Sequence, residues 1–539
     1  MTETLLADPA PAMPVAGRPV RRRPPVALVL VSLAVAVVFA APLAYLFVGD
    51  LGAFDARVDA LGSEQIFDPL VRTIVLATIV SLACAVLGTV LAWLVTRTDL
   101  PGRAVWRVLF ALPLVIPSYV GAFAFVAALG PGGWFQSSFG IGAPDRIEGL
   151  WPSVIVLTSL SFPLVYLPVF ARLLALPASL EESARSLGRG PISTFVFVVL
   201  PQIRSAVSAG ALLVFLYTVS EFGAVSILRY DTLTVRAYSA KLAPDTSLAI
   251  ASVLAVIALT VVVLERRAAG RSRPFTALAG GKRSLQTPLG WWKAPVFILA
   301  ASVVALTLVV PIAVLFRWAF LVGADNAGFG GLIEPARNTA LAGVAAAVFT
   351  VVLVLPTGYL TARYRGWSAS TSNALIVAGF GIPGLVSALA LVRWVRESPD
   401  MVFDALYQSF ALLVLAYAIH FGAQALRTAQ VAIAAVPNRL EDAARSLGSG
   451  PVRRFTRVDL PLTLPGLAAG GGLVMLSVMK ELPATLLLAP TGFGTLATRI
   501  WSTTSEGFYA RAGLASLVLV AISAVFTWFL TIRRMDVAT

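Results

Sequence analysis

Two glutamates in this 539-residue chain stand in otherwise apolar stretches, Glu221 and Glu481, the second preceded by Lys480. They fall at equivalent positions at an offset of 260, Ser220-Glu221-Phe222 on Lys480-Glu481-Leu482. A carboxylate at membrane depth is expensive and marks a transit path for a polar or ionic species unless it only fixes packing. Both readings are open here: the pair forms a weak transit site, or Glu481 is neutralised by Lys480 or by a helix end. The other chemistry-bearing residues are fewer. The single His, His420, builds no metal site alone and reads as a bundle-facing, hydrogen-bonded polar group. The single Cys, Cys84, excludes a disulfide within the chain and a cysteine metal cluster. Gly379-Phe380-Gly381-Ile382-Pro383-Gly384 fits a dinucleotide-loop spacing but follows no strand, so it reads as a broken or tightly packed membrane helix. Gly280-Gly281-Lys282-Arg283-Ser284 has Arg283 where a phosphate loop needs Ser or Thr to hold magnesium. No nucleotide site, firm metal site or catalytic triad is expected, and the chain reads as no enzyme.

A second set of residues is carried twice, Pro177 to Pro201 and Pro437 to Pro461. Leu180–Pro191 and Leu440–Pro451 agree at nine of twelve positions. Each copy opens with a Pro and a capping pair, Ser179 with Glu182 or Asn438 with Glu441, and closes at Gly-x-Gly-Pro, which predicts a short capped helix. Leu180, Ala184 and Leu187 share one face, as do Leu440, Ala444 and Leu447, with the acids and Arg on the other. Leu200-Pro201 and Leu460-Pro461 then open the next apolar run.

The elements that must position these residues are set by composition: 58% hydrophobic, 13% charged and a mean hydropathy of +0.87. These values predict an all-α polytopic membrane protein. Apolar runs recur near 26–48, 70–95, 105–129, 150–175, 200–228 and 246–264, then near 295–320, 338–361, 372–395, 408–432, 465–490 and 512–532. The organisation expected is a basic arm 1–25, a six-helix half 26–265, a basic linker 266–293, a second six-helix half 294–532 and a tail 533–539. Ile116-Pro117 matches Ile382-Pro383, and Leu94 with Arg97 matches Leu360 with Arg363, at an offset of 266. The halves are therefore tandem homologous repeats of one orientation. Placing both termini in the cytoplasm puts most of the 41 Lys and Arg inside, so the net +14 is a topology signal. Dispersed charges without an aromatic platform argue against nucleic acid; the lipid bilayer is the expected surround.

The duplicated stretch resembles the EAA loop of ABC importer permeases. The triplet positions are Glu182-Ser183-Ala184 with Gly188, and Asp442-Ala443-Ala444 with Gly448, departing from the family at Ser183 and Asp442. The resemblance implies a bacterial inner-membrane permease whose two loops dock two cytoplasmic ABC ATPase subunits, with ATP and Mg bound there and the substrate delivered by an external binding protein. The stretches around Lys480-Glu481-Leu482-Pro483 and Gly494-Thr495-Leu496-Ala497-Thr498-Arg499 resemble ferric-iron permeases with two fused halves. Ferric iron prefers oxygen ligands, which suits Glu221 and Glu481. Permeases for thiamine, molybdate, spermidine or phosphonate are the alternatives within the class. A secondary transporter with parallel repeats is the alternative outside it.

Overall fold

The computed structural model describes residues 24–48, 64–140, 146–269, 287–322, 329–380 and 382–527. The basic arm, most of the linker and the tail lie outside the described residues. Helix accounts for the regular structure among them, apart from one parallel bridge between Thr98 and Thr287.

The first half contributes α1 (Val26–Val48), α2 (Glu64–Arg97), α3 (Ser118–Leu129), α4 (Pro163–Ala175), the loop helix α5 (Ala178–Ser186), α6 (Leu200–Val219) and α7 (Pro244–Ala269). The second contributes α8 (Ile333–Arg363), α9 (Trp367–Phe380), α10 (Gly384–Arg396), α11 (Phe410–Ala435), the loop helix α12 (Asn438–Ser446), α13 (Leu460–Met479) and α14 (Tyr509–Thr527). Among the described residues, ten helical segments are long and apolar enough to cross a membrane. The remaining two expected positions hold a shorter apolar helix, Thr246–Val261, and a pair bent by 100° between Gly379 and Gly384.

Prolines correct three of the expected spans. The run at 105–129 is divided: Ile116 is extended before Pro117, and the span begins at Ser118 and reaches Ser138. The runs at 200–228 and 465–490 start earlier and stop sooner, at Pro191–Val219 and Pro451–Met479. Each of these two passes through a π-turn, Phe195–Val199 or Phe455–Asp459, directly before its Leu-Pro. A proline without an N–H is accommodated there by widening the preceding turn. Consequently Glu221 and Glu481 lie in helix breaks, not inside spans.

Within each half the long helices pack on one another, α2 against α4 and α6, and α8 against α11 and α13. The first span of each half, α1 and Gly290–Phe320, also reaches over to the other. Helix α1 packs on α8, α9 and α10, where Phe39 is fully buried and lies so close to Gly422 that a Cβ there would clash with its ring. Reciprocally, the segment Val310–Phe316 packs on α3, and Phe297 meets Trp106 at 5.4 Å between ring centres.

Candidate functional site

The two loop helices are built alike. Each begins after an extended proline, Pro177 or Pro437, with no side-chain cap; the proline carbonyls accept from the Leu180 and Leu440 N–H groups. A proline thus takes the N-cap position in both copies, and the expected caps Ser179 and Asn438 fall within the helices, at their second and first residues. Each ends where Gly188 or Gly448 takes a positive φ, +83° or +74°. Gly188 N–H donates to Arg185 O and Arg189 N–H to Ala184 O; Gly448 and Ser449 repeat this toward Arg445 and Ala444. This is the Schellman closure, which places an αL residue after the last turn.

The faces differ from the expected ones. Ala184 and Ala444 are buried, but Leu180 and Leu440 are 39% and 42% exposed and Leu187 and Leu447 are 83% and 86% exposed. Glu182, Ser183, Asp442 and Ala443 are also exposed. The acids that turn inward are their neighbours. Glu181 Oε1 accepts from Arg97 Nε at 2.6 Å, and Glu441 Oε1 lies 2.9 Å from Arg363 Nε. Arg97 and Arg363 also donate to carbonyls at the end of the preceding helix, Leu173 O at 2.8 Å and Val436 O at 3.0 Å. The guanidinium fork holds a carboxylate and a helix-end carbonyl at once. Removing one partner of such a buried pair strands the other, at a cost of about 3–5 kcal/mol.

The far ends of α2 and α8 are tied as well. Thr73 Oγ1 donates to Pro69 O and accepts from Leu233 N–H at 2.9 Å. Thr339 Oγ1 donates to Pro335 O and accepts from Leu496 N–H at 2.8 Å. Both threonines are buried.

At the helix breaks, each glutamate turns back onto the short helix that follows it. Glu221 Oε1 accepts from Ala224 N–H and from Ser118 Oγ, both at 2.9 Å. Glu481 Oε1 accepts from Ala484 N–H at 3.3 Å. A carboxylate is well placed at a helix N-terminus, where the N–H groups are otherwise unpaired. Lys480 does not pair with Glu481; its Nζ donates to Leu114 O of the first half at 3.0 Å. The two breaks face one another, because a Cβ on Gly223 would touch both Tyr119 and Leu482. Tyr119 is buried with its hydroxyl unpartnered among the described residues, within electrostatic range of both glutamates. Gly384 admits Glu481: a Cβ there would sit 2.7 Å from Glu481 Oε1 and 3.4 Å from His420 Nε2. His420 has a backbone hydrogen bond at Ile382, while its buried Nδ1 has no partner among the described residues.

The sequence model of the family described as the binding-protein-dependent transport system inner membrane component matches residues 85–265 and again 354–534. The chain belongs to this family. It is an ABC permease of a binding-protein-dependent system with two fused halves, a multi-pass inner-membrane transport component. The permease is 32% identical to the Fe(3+)-transport system permease protein FbpB 2 of Haemophilus influenzae, over 94% of this chain and 97% of that one. It is 20% identical to the ferric transport system permease protein FbpB of Actinobacillus pleuropneumoniae, over 90% of this chain and 74% of that one. A sulfate transport system permease protein, CysT of Synechococcus elongatus, matches at 34% over 28% of this chain and 55% of its own.

Sequence reasoning brought Glu221 and Glu481 to one place in the permease but missed the residues that hold its loops. Glu181 was hidden beside the acids of the triplet, and Glu441 was read as a helix cap and not as an anchor for Arg363. Their signal was available: Arg97 with Arg363, and Pro69-x-x-x-Thr73 with Pro335-x-x-x-Thr339, each recur at an offset of 266.

Proposed function

We propose that this permease imports ferric iron, received from an external binding protein, using two cytoplasmic ABC ATPase subunits, one docked at each loop helix. The observation that carries the reading is the duplicated loop helix itself. In each copy the acid behind the triplet is anchored inward, and the leucines before and after it, Leu180 and Leu187 or Leu440 and Leu447, are left facing outward. Such a short helix with an apolar outer face suits a groove on a partner protein. Both loops lie in the cytoplasm in this reading, as do both termini. ATP and Mg are bound by the partner.

Iron as the cargo is supported by the two relatives named for ferric transport and by the oxygen donors at the breaks. Glu221 spends one carboxylate oxygen on Ser118 and Ala224, and Glu481 spends one on Ala484. The two carboxylates come from both halves to the meeting point of the breaks without forming a closed carboxylate cage, and a transit site must release what it binds. The sulfate relative favours a second reading, an oxyanion cargo.

Single cysteines at Ser183 and at Ala443, both exposed, test the docking. Each is expected to crosslink to the co-expressed ATPase, and capture at one position alone rejects the symmetric arrangement. Proteoliposomes carrying the permease, ATPase and binding protein are expected to accumulate ferric iron on ATP; accumulation of sulfate or molybdate instead transfers the cargo to the oxyanion class.

A further inference from the structure

Helices α2 and α8, 34 and 31 residues long, are each fastened at both ends by duplicated contacts. At one end Arg97 or Arg363 grips the loop helix through Glu181 or Glu441. At the other, Thr73 or Thr339 holds the first residue of the second short helix after the glutamate break, Leu233 or Leu496. In the first half the chain of contacts runs on to the break itself, since Thr234 Oγ1 donates to Glu221 O. We propose that α2 and α8 are the transmission rods of this permease: a displacement of each loop helix is delivered along one continuous helix toward the backbone that carries the carboxylates. Arg97, Glu181, Thr73, Arg363, Glu441 and Thr339 are positioning residues in this scheme.

The physical requirement is a stiff element with no slack at either joint, because energetic coupling between distant sites travels through packed, hydrogen-bonded elements. A helix-end guanidinium that holds both a carboxylate and a carbonyl has little freedom to slide. A buried threonine hydroxyl that donates one turn back and accepts from the neighbouring strand of backbone uses up its one proton and fixes its rotamer. The joints are not equal in the two halves. Arg454 stands 3.5 Å from Glu441 and 3.3 Å from Asp459, and its Nη2 donates to Tyr359 at 2.6 Å. The first half has Thr194, Val199 and Trp93 at the matching positions, so among the described residues Glu181 has Arg97 as its ion-pair partner and no counterpart of Arg454. The second loop is held redundantly.

The inference rests on the reading of the loops as ATPase docks. The test is therefore made on the whole complex of permease, ATPase and binding protein in proteoliposomes, with ATPase retention and ions transported per ATP measured separately. Glu181→Gln and Thr73→Val are each expected to retain the ATPase and to lower ions per ATP about fivefold, the lower end of typical coupling between sites. Because the two joints act in series, Glu181→Gln with Thr73→Val is expected to be no worse than the more severe single change. Glu181→Gln with Thr339→Val, in different halves, is expected to multiply. Arg363→Gln is expected to lose less than Arg97→Gln, because Arg454 still holds Glu441. Thr73→Ser, which keeps the hydroxyl, is expected to restore the ratio lost in Thr73→Val and so separates the joint from a general folding defect. An unchanged ratio in the single variants, multiplying losses within one half, or no recovery with serine overturns the rods while leaving the docks in place. Failure of the unmodified permease to retain an ATPase overturns the docks, and the rods with them.

Discussion

At the residue scale, the two break glutamates are chemically unequal despite their equivalent positions. Glu221 is 6% exposed and accepts from both a hydroxyl and an N–H, whereas the Glu481 carboxylate, among the described residues, accepts a long bond from Ala484 and stands beside Gly384 and His420. The less committed carboxylate has more capacity for a passing cation. Glu481→Gln is therefore expected to slow iron uptake by about tenfold, equivalent to about 1.4 kcal/mol, with the ATPase still assembled. Glu221→Gln is expected to slow it less, and the double change more than either. Normal uptake by the double variant reduces both to packing residues. The sequence supplied the pair and its offset, but not its surroundings: that Lys480 reaches the carbonyl of Leu114, 366 positions away, follows from how the halves dock.

At the scale of the element, the loop helices show how a correct helix can be read with the wrong faces. Their length, their glycine ends and their duplication were legible because local rules fix them: an extended proline starts the helix and an αL glycine stops it. Their orientation was not, because Glu181 and Glu441 are drawn inward by arginines at the ends of other helices. Leucine spacing alone assigns the buried face to the wrong side. The same holds for the breaks, where apolar residues flank Ser220-Glu221 and Lys480-Glu481 on both sides and only the folded backbone shows the interruption. The glycine ends carry a prediction. A Cβ at Gly188 or Gly448 meets nothing within 4 Å, so substitution there is penalised through the backbone and not through a clash. Leucine at either position is expected to cost about 1–2 kcal/mol in the αL region and to fray the last turn of the loop helix. Asparagine, which tolerates αL, is expected to cost less. Ions transported per ATP should follow that order, with membrane insertion unchanged and partial activity kept through the other half. Equal performance of the leucine and asparagine variants rejects the backbone account, and normal transport by Gly448→Leu makes the second loop purely structural.

At the scale of the whole molecule, two tandem repeats are joined by exchange of their first helices, so neither half closes its own core. Phe39 of α1 fills the groove at Gly422, and the segment Val310–Phe316 lies against α3. Hydropathy and offsets reveal the repeat, but they carry no information on which half a membrane helix packs against, since all its faces are apolar. The described end of the covalent connection adds a second tie. Thr287 bonds to Arg97 O through its N–H and to Arg185 through its hydroxyl, while Asp99 accepts from Leu289 N–H and Lys293, contacts that hold its carboxyl below the usual range. The end of the linker is thus stapled to the first loop helix. If the exchange rather than the peptide linker joins the halves, a permease cut within 270–286 and expressed as two chains should still assemble. The two chains, differently tagged, are expected to co-purify and to transport. Removing residues 1–48 from the first chain should then destabilise the second, because α1 covers α8, α9 and α10. Protease sensitivity of the second chain in membranes measures this directly. Unchanged protection of the second chain without α1, or failure of the intact pair to associate, would show that the linker and not the exchanged helices makes the two halves one molecule.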